Sequence, residues 1–540
     1  MKKNLLILIA LVISISSCTF LDLDPKDEIG RDDYYQNDKQ AYLALSGVYA
    51  SLRDIYDQDF SIWFNVGTDE MLYRRSLFNH ELTKMSYNDS DVDLNRIWTR
   101  TYRGINRIND LIDNLSERDT IDYLSKADHE LMIGEGLTLR ALFYFNLVRV
   151  WEHVPLRLDH FTDIDGNLDM LNLPNTPAPK VYNQIIADLD KAITLLNDRP
   201  KEYGRVSKQI AHGLAARVYL TMAGARIQGG DLGRDYCLQK VIEHTNAVTE
   251  FGYHSLLPEY KDVFLNQIQG IRRDVEVMWE VDFTVTEGRD LGGRIGNFNG
   301  VQIQLTTGTM PFSIGHAYIT PSMHKSTYSA DDTRFEWNCA NFSFNYRDDN
   351  FVAVNIGNEL RWFPGKWRRL DRGRDHNGEL DGTVETLENG VIIKDRTSIN
   401  FPILRFSDIL LMRAEASYLL YGESGQAKTD IEMVRQRANA GSLSQGLSDA
   451  NNDFMKLIQD ERKRELCFEG HRRFDLVRWG ILEKTMKEVS QNVRSNKDFR
   501  PDNEEHLAFP GERCEEKHVV FPIPTEELQL NYNIKQHPLW

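Results

Sequence analysis

The stretch from Ile458 to Gly480, IQDERKRELCFEGHRRFDLVRWG, limits the fold of this chain more than any other segment. Eleven of its residues are Asp, Glu, Lys or Arg, interspersed with large apolar side chains that a fully solvated helix would not carry. Gly470 permits a turn in the middle of the stretch. Opposite charges three residues apart share one face of a helix, and the stretch holds three such pairs: Glu461 with Arg464, Arg462 with Glu465, and Asp475 with Arg478. It therefore predicts two short helices clamped by ion pairs.

Length and charge limit what the folded chain can be. With 540 residues, of which 41% are apolar, the chain can bury a large core, and more than one hydrophobic centre is expected. The formal net charge is −17 at pH 7. Nucleic acid or an anionic bilayer surface would meet like charge at long range, so neither is expected as a main ligand.

The N-terminus carries an export signal. Two lysines precede an apolar run from Leu5 to Ile15, and two small serines lead to Cys18. Such a run would reach only about half of the hydrocarbon core of a bilayer as a helix, so it predicts a signal peptide, residues 1–17, rather than a membrane span. The ISSC ending resembles a bacterial lipobox, which implies that Cys18 is acylated and begins the mature chain. Ordinary cleavage that leaves Cys18 free is the alternative.

Apolar periodicity beyond an acidic tether, residues 18–40, predicts helices with one long interruption. Helical spacing is clearest at 41–55, 94–115, 127–151, 181–196 and 207–224, where Ser207 is a candidate N-cap. It fades across 251–400, where glycine and asparagine become frequent and residues 275–281 alternate like a strand. Helical spacing returns at 407–420 and 426–438. By itself, the periodicity predicts helical hairpins and an irregular excursion too long to be idle.

The cysteines and acidic clusters give no catalytic or metal motif. Cys237, Cys339, Cys467 and Cys514 include no CxxC pair, and a Cys339–Cys514 or similar disulfide stays open. The run Asp89, Asp91, Asp93 fails as a calcium loop because Leu94 and Arg100 stand where Gly and Glu are needed. One turn could ligate calcium loosely through Asp375, Asn377, Glu379 and Asp381, although a solvated turn without a metal is favoured. We predict no catalytic residue, no metal and no cofactor.

Aromatic residues outside helical periodicity are the best ligand candidates. Trp98, Trp151, Trp279 and Trp479 lie in apolar patterns typical of a core, and Trp367 also fits a structural position. Sugars stack on aromatic rings and need polar partners beside them. Two stretches, WFNVGTDEMLYRR and RFEWNCANFSFNYR, offer both. The predicted ligand-binding residues are Trp63, Asp69, Tyr73, Arg74, Trp337, Asn338, Tyr346 and Trp362.

Five motifs stand in a fixed order along the chain. They are SSCTFLDLDP from residue 16, GEGLTLRALFYFNLVRVWEHVPL from residue 134, NFPILRFSDILLMRAEA from residue 400, ERKRELCFEGHRRFDLVRWG from residue 461, and VVFPIPTEELQLN from residue 519. Together they resemble the SusD/RagB family, the surface nutrient-binding lipoproteins of Bacteroidota. The resemblance covers essentially the whole chain.

The resemblance implies a mainly α fold: a tetratricopeptide-like scaffold of helical hairpins, an α/α superhelix, with a large irregular and partly β excursion. On this basis the chain divides into the signal peptide 1–17, the lipidated tether 18–40, a helical part 41–250, a ligand-binding excursion 251–400, and a second helical part 401–540 that completes the same globule. Ligand contacts in this family come from excursions of this kind.

The resemblance also implies a function without catalysis. The protein would be anchored to the outer membrane through the lipid on Cys18 and would face the cell surface. There it would capture oligosaccharides or polysaccharides and deliver them to a SusC-like TonB-dependent transporter. The alternatives are a peptide- or glycopeptide-binding import lipoprotein of the RagB type, a periplasmic tetratricopeptide adaptor, and, third, a glycoside hydrolase.

Overall fold

The computed structural model of the protein describes residues 34–76, 80–117, 124–160, 172–287, 289–304 and 311–540. Cys18, the predicted signal peptide and most of the tether lie outside the described residues. Helices make up 52% of the structure, which confirms the prediction of a mainly α fold.

Seventeen α-helices lie within the described residues, and fifteen of them fall into two groups separated by a strand-rich segment. The first group is α1 Asp38–Tyr56, α2 Val92–Ser116, α3 Lys126–Trp151, α4 Ala178–Leu195, α5 Lys208–Met222, α6 Arg234–Phe251 and α7 Tyr260–Gln269. Two short helices, α8 Pro321–Lys325 and α9 Arg334–Asn338, lie among the strands. The second group is α10 Phe406–Tyr421, α11 Gly425–Arg437, α12 Leu443–Asp449, α13 Phe454–Leu466, α14 Arg472–Arg478, α15 Leu482–Arg494, α16 Pro501–Arg513 and α17 Thr525–Leu530.

Side-chain caps explain where several helices begin. Asn37 accepts from the backbone N–H of Gln40 at the start of α1, and Ser207 caps α5 as predicted. Asp91, from the run that resembled a calcium loop, accepts from the N–H groups of Asp93 and Leu94 and so caps α2. A cap therefore accounts for this aspartate without a metal.

Neighbouring helices pack against each other as helical hairpins, as the periodicity predicted. Helix α3 packs against both α2 and α4, α5 packs against α6, and α10 packs against α6 and α11. Glycines permit close approach: a Cβ on Gly104 of α2 would lie 2.2 Å from the Phe143 ring of α3, and one on Gly213 of α5 would lie 2.4 Å from Leu404 Cδ2 of β13. The hairpins form the tetratricopeptide-like scaffold.

Helix α3 is the central helix of the first group. By length and composition it could cross a membrane, but 94% of its most apolar window is buried inside the protein. Its Arg140 forms a two-pronged ion pair with Asp188 of α4, with both N–O distances at 2.8 Å. A long apolar helix with a buried polar clamp is typical of a protein core.

Thirteen short strands lie in the described residues, most of them between α7 and α10. They are β1 Met71–Tyr73, β2 Val277–Val281, β3 Thr284–Thr286, β4 Arg289–Leu291, β5 Ile303–Gln304, β6 Ala317–Ile319, β7 Cys339–Ala340, β8 Phe342–Arg347, β9 Asn350–Asn355, β10 Phe363–Pro364, β11 Leu370–Arg374, β12 Leu380–Thr386 and β13 Phe401–Arg405. They form small sheets: antiparallel pairs β1–β6, β2–β13, β3–β4, β7–β10 and β11–β12, and the three-stranded β5–β8–β9. The predicted strand at 275–281 is confirmed as β2.

One large apolar core runs through the molecule. Its buried members include Leu45 of the first helices, Trp279 and Trp367 of the strand-rich segment, and Leu476 of the last group. A second, smaller core gathers seven residues under the sheet β5–β8–β9: Val301, Ile303, Ala340, Phe342, Phe344, Phe363 and Leu370. The division at residues 41–250, 251–400 and 401–540 stays a prediction, because the main core is continuous across all three parts.

The stretch 458–480 forms two short helices, α13 and α14, and Gly470 has a φ of 83° in the turn between them, as predicted. The pairs Glu461–Arg464 and Asp475–Arg478 are present, at 3.1 and 2.9 Å. The pairing of Arg462 with Glu465 was wrong, because each finds buried partners on other elements. Arg462 pairs with Asp408 and Asp475, and Glu465 pairs with Arg334, Arg405 and Arg437.

The cysteines and the candidate calcium turn have simple structural roles. All four described cysteines, Cys237, Cys339, Cys467 and Cys514, are buried free thiols, so the open question of a Cys339–Cys514 disulfide is answered in the negative. The turn between β11 and β12 is exposed. There Asp375 Oδ1 accepts from the backbone N–H groups of Asn377 and Glu379, which stabilises the turn.

Candidate functional site

Two distant parts of the chain meet where β1 pairs with β6. Met71 lies opposite Ile319 and Tyr73 opposite Ala317, which joins the first helical group to the strand-rich segment. Beneath this joint lies a cluster of aromatic rings. Trp63 stacks on His80 with ring centres 4.5 Å apart, and Tyr73 stacks on His316 at 5.8 Å. The cluster gives the joint a rigid base.

Arg74 follows β1 directly and is fixed in place. Its Nε donates to the carbonyl of Gly315 at 2.7 Å and its Nη2 donates to the carbonyl of Ile314 at 3.0 Å. Its own backbone N–H donates to the backbone carbonyl of His316, and its carbonyl accepts from His506 Nε2 at 3.0 Å. The guanidinium is half-buried and held by the opposite chain segment, so its orientation is fixed.

Half-exposed rings and an amide surround Arg74. In the amide orientation that satisfies both groups, the side-chain oxygen of Gln302 accepts from Arg74 Nη1 and Nη2 at 3.2 Å. Tyr318 is the middle residue of β6 and lies opposite Leu72 of β1, and Phe298 packs edge-on against His316 at 4.5 Å. Arg294 lies over the Phe298 ring, 5.1 Å from its centre. We call the surface formed by Arg74, Arg294, Phe298, Gln302 and Tyr318 the Arg74 platform.

The pKa values at the Arg74 platform reflect burial and positive charge. Burial lowers the pKa of His316 to about 3, and the nearby charges of Arg75, His80, Arg74 and Arg294 lower it further. Burial raises the pKa of Tyr73 to about 12, although Arg75 and Arg74 act against that rise. His316 is therefore neutral at pH 7 and Tyr73 keeps its proton.

Two family models match this chain. One, described as the SusD family, matches residues 313–540. The other, described as starch-binding associating with outer membrane, matches residues 19–220. The chain belongs to the SusD family.

Relatives and solved structures of the SusD family span nearly the whole chain. SusD-like protein P25 of Formosa agariphila is 27% identical over 98% of this chain and 97% of its own length. A SusD homolog from Bacteroides thetaiotaomicron aligns with a TM-score of 0.79 and 26% identity over 95% of this chain and 99% of that one. Surface glycan-binding protein A from the same species, solved in complex with laminarihexaose, aligns with a TM-score of 0.67 and 17% identity over 93% and 99%. The fold of this protein is thus the SusD fold.

Three of the predicted site residues of this SusD-family protein meet at the Arg74 platform. Trp63 and Tyr73 are buried in the aromatic cluster below it, with 4% and 2% of their surface exposed. Arg74 reaches its surface. The first predicted stretch therefore contributes one surface group and two supporting rings.

Asp69 and Asn338 are buried and fully engaged. Asp69 pairs with Arg472 at 2.8 Å and with Lys463 at 3.0 Å. Asn338 accepts from the hydroxyl of Tyr260 at 3.1 Å and donates to the hydroxyl of Tyr328 at 3.0 Å. These contacts tie the strand-rich segment and the N-terminal part to the helical scaffold. Direct ligand contact by either residue stays a prediction, which their burial does not favour.

Trp337 lies apart from the Arg74 platform. It lines a cleft of about 550 Å³ between α7, α9 and the hairpin β11–β12. The Arg368 guanidinium lies 4.6 Å from its ring centre, and 7% of the residue is exposed. The indole N–H has no hydrogen-bond partner among the described residues. Trp337 is therefore a wall of a second concave surface.

Tyr346 and Trp362 lie near the margins of the Arg74 platform. Tyr346 is half-exposed on β8, whose residues Phe344 and Asn345 pair with Ile303 and Gln304 of β5, next to Gln302. Trp362 packs against His324 with ring centres 4.3 Å apart, and its carbonyl accepts from the N–H of Ile319 on β6. Both rings are partly accessible and attached to the strands that form the platform.

Four residues of the Arg74 platform were missed by the sequence analysis: Arg294, Phe298, Gln302 and Tyr318. Gly-rich and Asn-rich sequence surrounds Phe298 and Arg294, and nothing in it indicates which ring reaches the surface. Tyr318 had a usable signal, because the apolar alternation of Ala317, Tyr318 and Ile319 is typical of a strand with its middle residue on the open face.

Three potential metal ligands of the described residues lie together: Glu152, His153 and His537. His153 Nδ1 accepts from the N–H of Ala178, and His537 Nδ1 accepts from the N–H of Leu539. Each neutral ring therefore carries its proton on Nε2, the nitrogen that faces Glu152. Those nitrogens donate toward the carboxylate and offer a metal no lone pair.

Proposed function

We propose that this SusD-family protein is a cell-surface glycan-binding lipoprotein without catalytic activity. It captures oligosaccharides at the Arg74 platform and delivers them to a partner SusC-like TonB-dependent transporter in the outer membrane. The lipid on Cys18 holds it there and leaves the folded part facing the cell exterior.

The observation that carries this proposal is the Arg74 platform itself. Sugars offer flat C–H faces and many hydroxyls, and the platform offers half-exposed rings of Phe298 and Tyr318 beside the donors of Arg74 and Gln302. Because Arg74 is already fixed by two carbonyls, little side-chain entropy is lost when a ligand binds. An open surface of this kind fits weak binding, in roughly the micromolar to millimolar range.

The relatives support a glycan as the ligand. One aligned structure holds laminarihexaose, and another is described as a laminarin binding SusD-like protein. A starch-binding SusD protein is 30% identical over 26% of this chain. Among the described residues we find no arrangement of nucleophile, base and oxyanion donors on the platform, which fits capture of an intact ligand.

Affinity gel electrophoresis with a panel of polysaccharides tests the proposal. We expect at least one polysaccharide to retard the protein, and we expect incubation with that polysaccharide to release no shorter product. Retardation by none, with binding of peptides instead, would favour the RagB-type alternative. Release of shorter chains would show an enzyme.

A pair of tyrosine variants tests the location. Tyr318→Ala removes a ring from the platform and should weaken glycan binding about fivefold, since stacking of an aromatic ring contributes on the order of 1 kcal/mol. Tyr532→Ala is the matched control, because Tyr532 is 75% exposed near the C-terminus. Equal affinities of the two variants would place the glycan elsewhere.

A further inference from the structure

Most buried arginines of the described residues are matched by a carboxylate, and the exception is Arg473, which donates to the Tyr87 hydroxyl and the carbonyl of His518. Arg334 pairs with Asp332 and Glu461, Arg405 pairs with Glu276 and Glu469, and the same holds for arginines on α11, α13 and α14. Such pairs neutralise the guanidinium charge where they hold it. The arginines of the Arg74 platform differ from these in the partners that hold them.

The two arginines of the Arg74 platform are held by neutral groups. Arg74 donates to the carbonyls of Gly315 and Ile314 and to the Gln302 amide, and Arg294 donates to the side-chain oxygen of Gln58 at 3.2 Å. Neither guanidinium forms an ion pair with a carboxylate of the described residues. Carbonyls and amides orient a guanidinium but leave its charge in place.

Acids near the Arg74 platform do not cancel this charge. Glu504 is held by Arg361 at 2.6 Å, and Asp93 is paired with Arg96. Asp57 accepts from the backbone N–H of Arg294 at 2.6 Å; burial raises the pKa of its carboxyl group, and Arg294, Arg396 and Arg53, which share this one acid, act against that rise. The charges of Arg75, Arg74 and Arg294 all reach the buried ring of His316. A local positive surface therefore stands on a chain whose net charge is −17.

A neutral glycan gains no ionic attraction from this uncompensated charge. Arginines that serve only to stack or donate to hydroxyls could be paired with acids, as elsewhere in this protein. An anionic ligand, in contrast, needs the charge to be uncompensated before it binds, and it also gains from electrostatic attraction at long range.

We propose that the glycan captured at the Arg74 platform is acidic and carries carboxylate or sulfate groups. The remaining N–H groups of Arg294, which have no partner among the described residues, contact the anionic group, while Arg74 supplies charge and orients the neighbouring sugar. This inference rests on the proposed function, because it names the chemistry of the ligand bound at the same surface.

Matched pairs of polysaccharides test the charge of the ligand. Polygalacturonate is compared with its carboxyl-reduced form, and carrageenan with its desulfated form, by affinity electrophoresis and calorimetry. We expect the charged member of at least one pair to bind about tenfold tighter or more, as a charge-assisted contact predicts. We also expect that affinity to fall as salt screens the attraction. The pair that responds distinguishes carboxylate from sulfate.

Variants of Arg294 test the residue. Arg294→Gln should lose the preference for the charged member, and Arg294→Lys should retain part of it, since lysine keeps the charge but not the planar fork. Lys191→Gln, which removes an exposed positive charge from α4, should change nothing. Equal affinity for both members of every pair overturns the inference and leaves the proposed function standing. Binding of no glycan, neutral or acidic, contradicts the proposed function itself.

Discussion

Glu465 shows at residue scale how this protein uses buried charge. Three arginines contact its carboxylate, Arg405 at 3.0 Å, Arg437 at 2.5 Å and Arg334 at 3.2 Å. Burial alone would raise the pKa of Glu465, but these arginines hold it well below its usual range. The three come from β13, α11 and α9, so one side chain of α13 joins three other elements.

Glu465→Gln should therefore destabilise the protein strongly. The amide keeps the shape but leaves three buried guanidinium groups without their shared charge, which should lower the free energy of unfolding by about 3–5 kcal/mol. Glu483→Gln is the control, because Glu483 forms an exposed pair with Lys487 on α15 and should change the free energy by less than about 1 kcal/mol. Denaturant titration of both variants measures the difference, and equal losses would contradict a buried network.

Glu70 predicts that the stability of the protein depends on pH. Burial raises the pKa of its carboxyl group to about 8, above the value of an unfolded chain. The folded state thus binds a proton that the unfolded state loses, so stability is fully present below about pH 4.5 and decreases as pH rises toward 8. Glu70→Gln should flatten that part of the stability profile. Denaturant midpoints between pH 5 and 8 measure it, and parallel profiles of the two proteins would refute the assignment.

At the scale of elements, the turn before β1 places Arg74. Gly67 has a φ of 84°, and its N–H donates to the carbonyl of Met71. A Cβ on Gly67 would lie 2.7 Å from the backbone oxygen of Thr83, which cannot move aside as a flexible side chain could. A change in the turn at Gly67 should therefore shift β1 and, with it, Arg74 of the platform.

Gly67→Ala should destabilise the protein and weaken glycan binding without touching the ligand. Gly204→Ala is a close control, because Gly204 has the same φ of 84° and open space around its Cβ position. The control should cost about 1 kcal/mol of backbone strain, and Gly67→Ala should cost more. Thermal unfolding and glycan affinity of both variants test this; equal effects would show that contact with Thr83 has no consequence.

The sequence was sufficient to predict many of the helices but not the pairing of distant strands. Helices α1 to α5, α10, α11 and the pair α13–α14 were predictable, because their apolar residues recur at helical spacing and their caps are local. The pairing of β1 with β6 was not predictable, since strands of three residues more than two hundred positions apart leave no periodic signal. The Arg74 platform depends on that pairing. For this reason Arg74 was found and its partners Phe298, Gln302 and Tyr318 were not.

At the scale of the whole molecule, the helical scaffold and the ion network carry the fold, and the strand-rich segment carries the platform. A single apolar core connects them. A rigid body that presents the Arg74 platform on its surface fits the proposed role of holding a ligand for a transporter. The proposed anchor, the lipid on Cys18, lies outside the described residues.

Cys18→Ala tests that anchor. If Cys18 carries the lipid, the variant should leave the outer-membrane fraction, because no acyl chain remains to hold it. Cys237→Ala, which changes a buried thiol, should stay in that fraction. Fractionation and protease accessibility on intact cells measure both, and a Cys18→Ala protein still fixed at the cell surface would contradict the anchor.

A crystal structure with a bound oligosaccharide tests the central claim most directly. The account predicts an intact ligand on the Arg74 platform, with a sugar ring against Tyr318 or Phe298 and an acidic group facing Arg294. A ligand seated only in the Trp337 cleft, or one found cleaved, would contradict it.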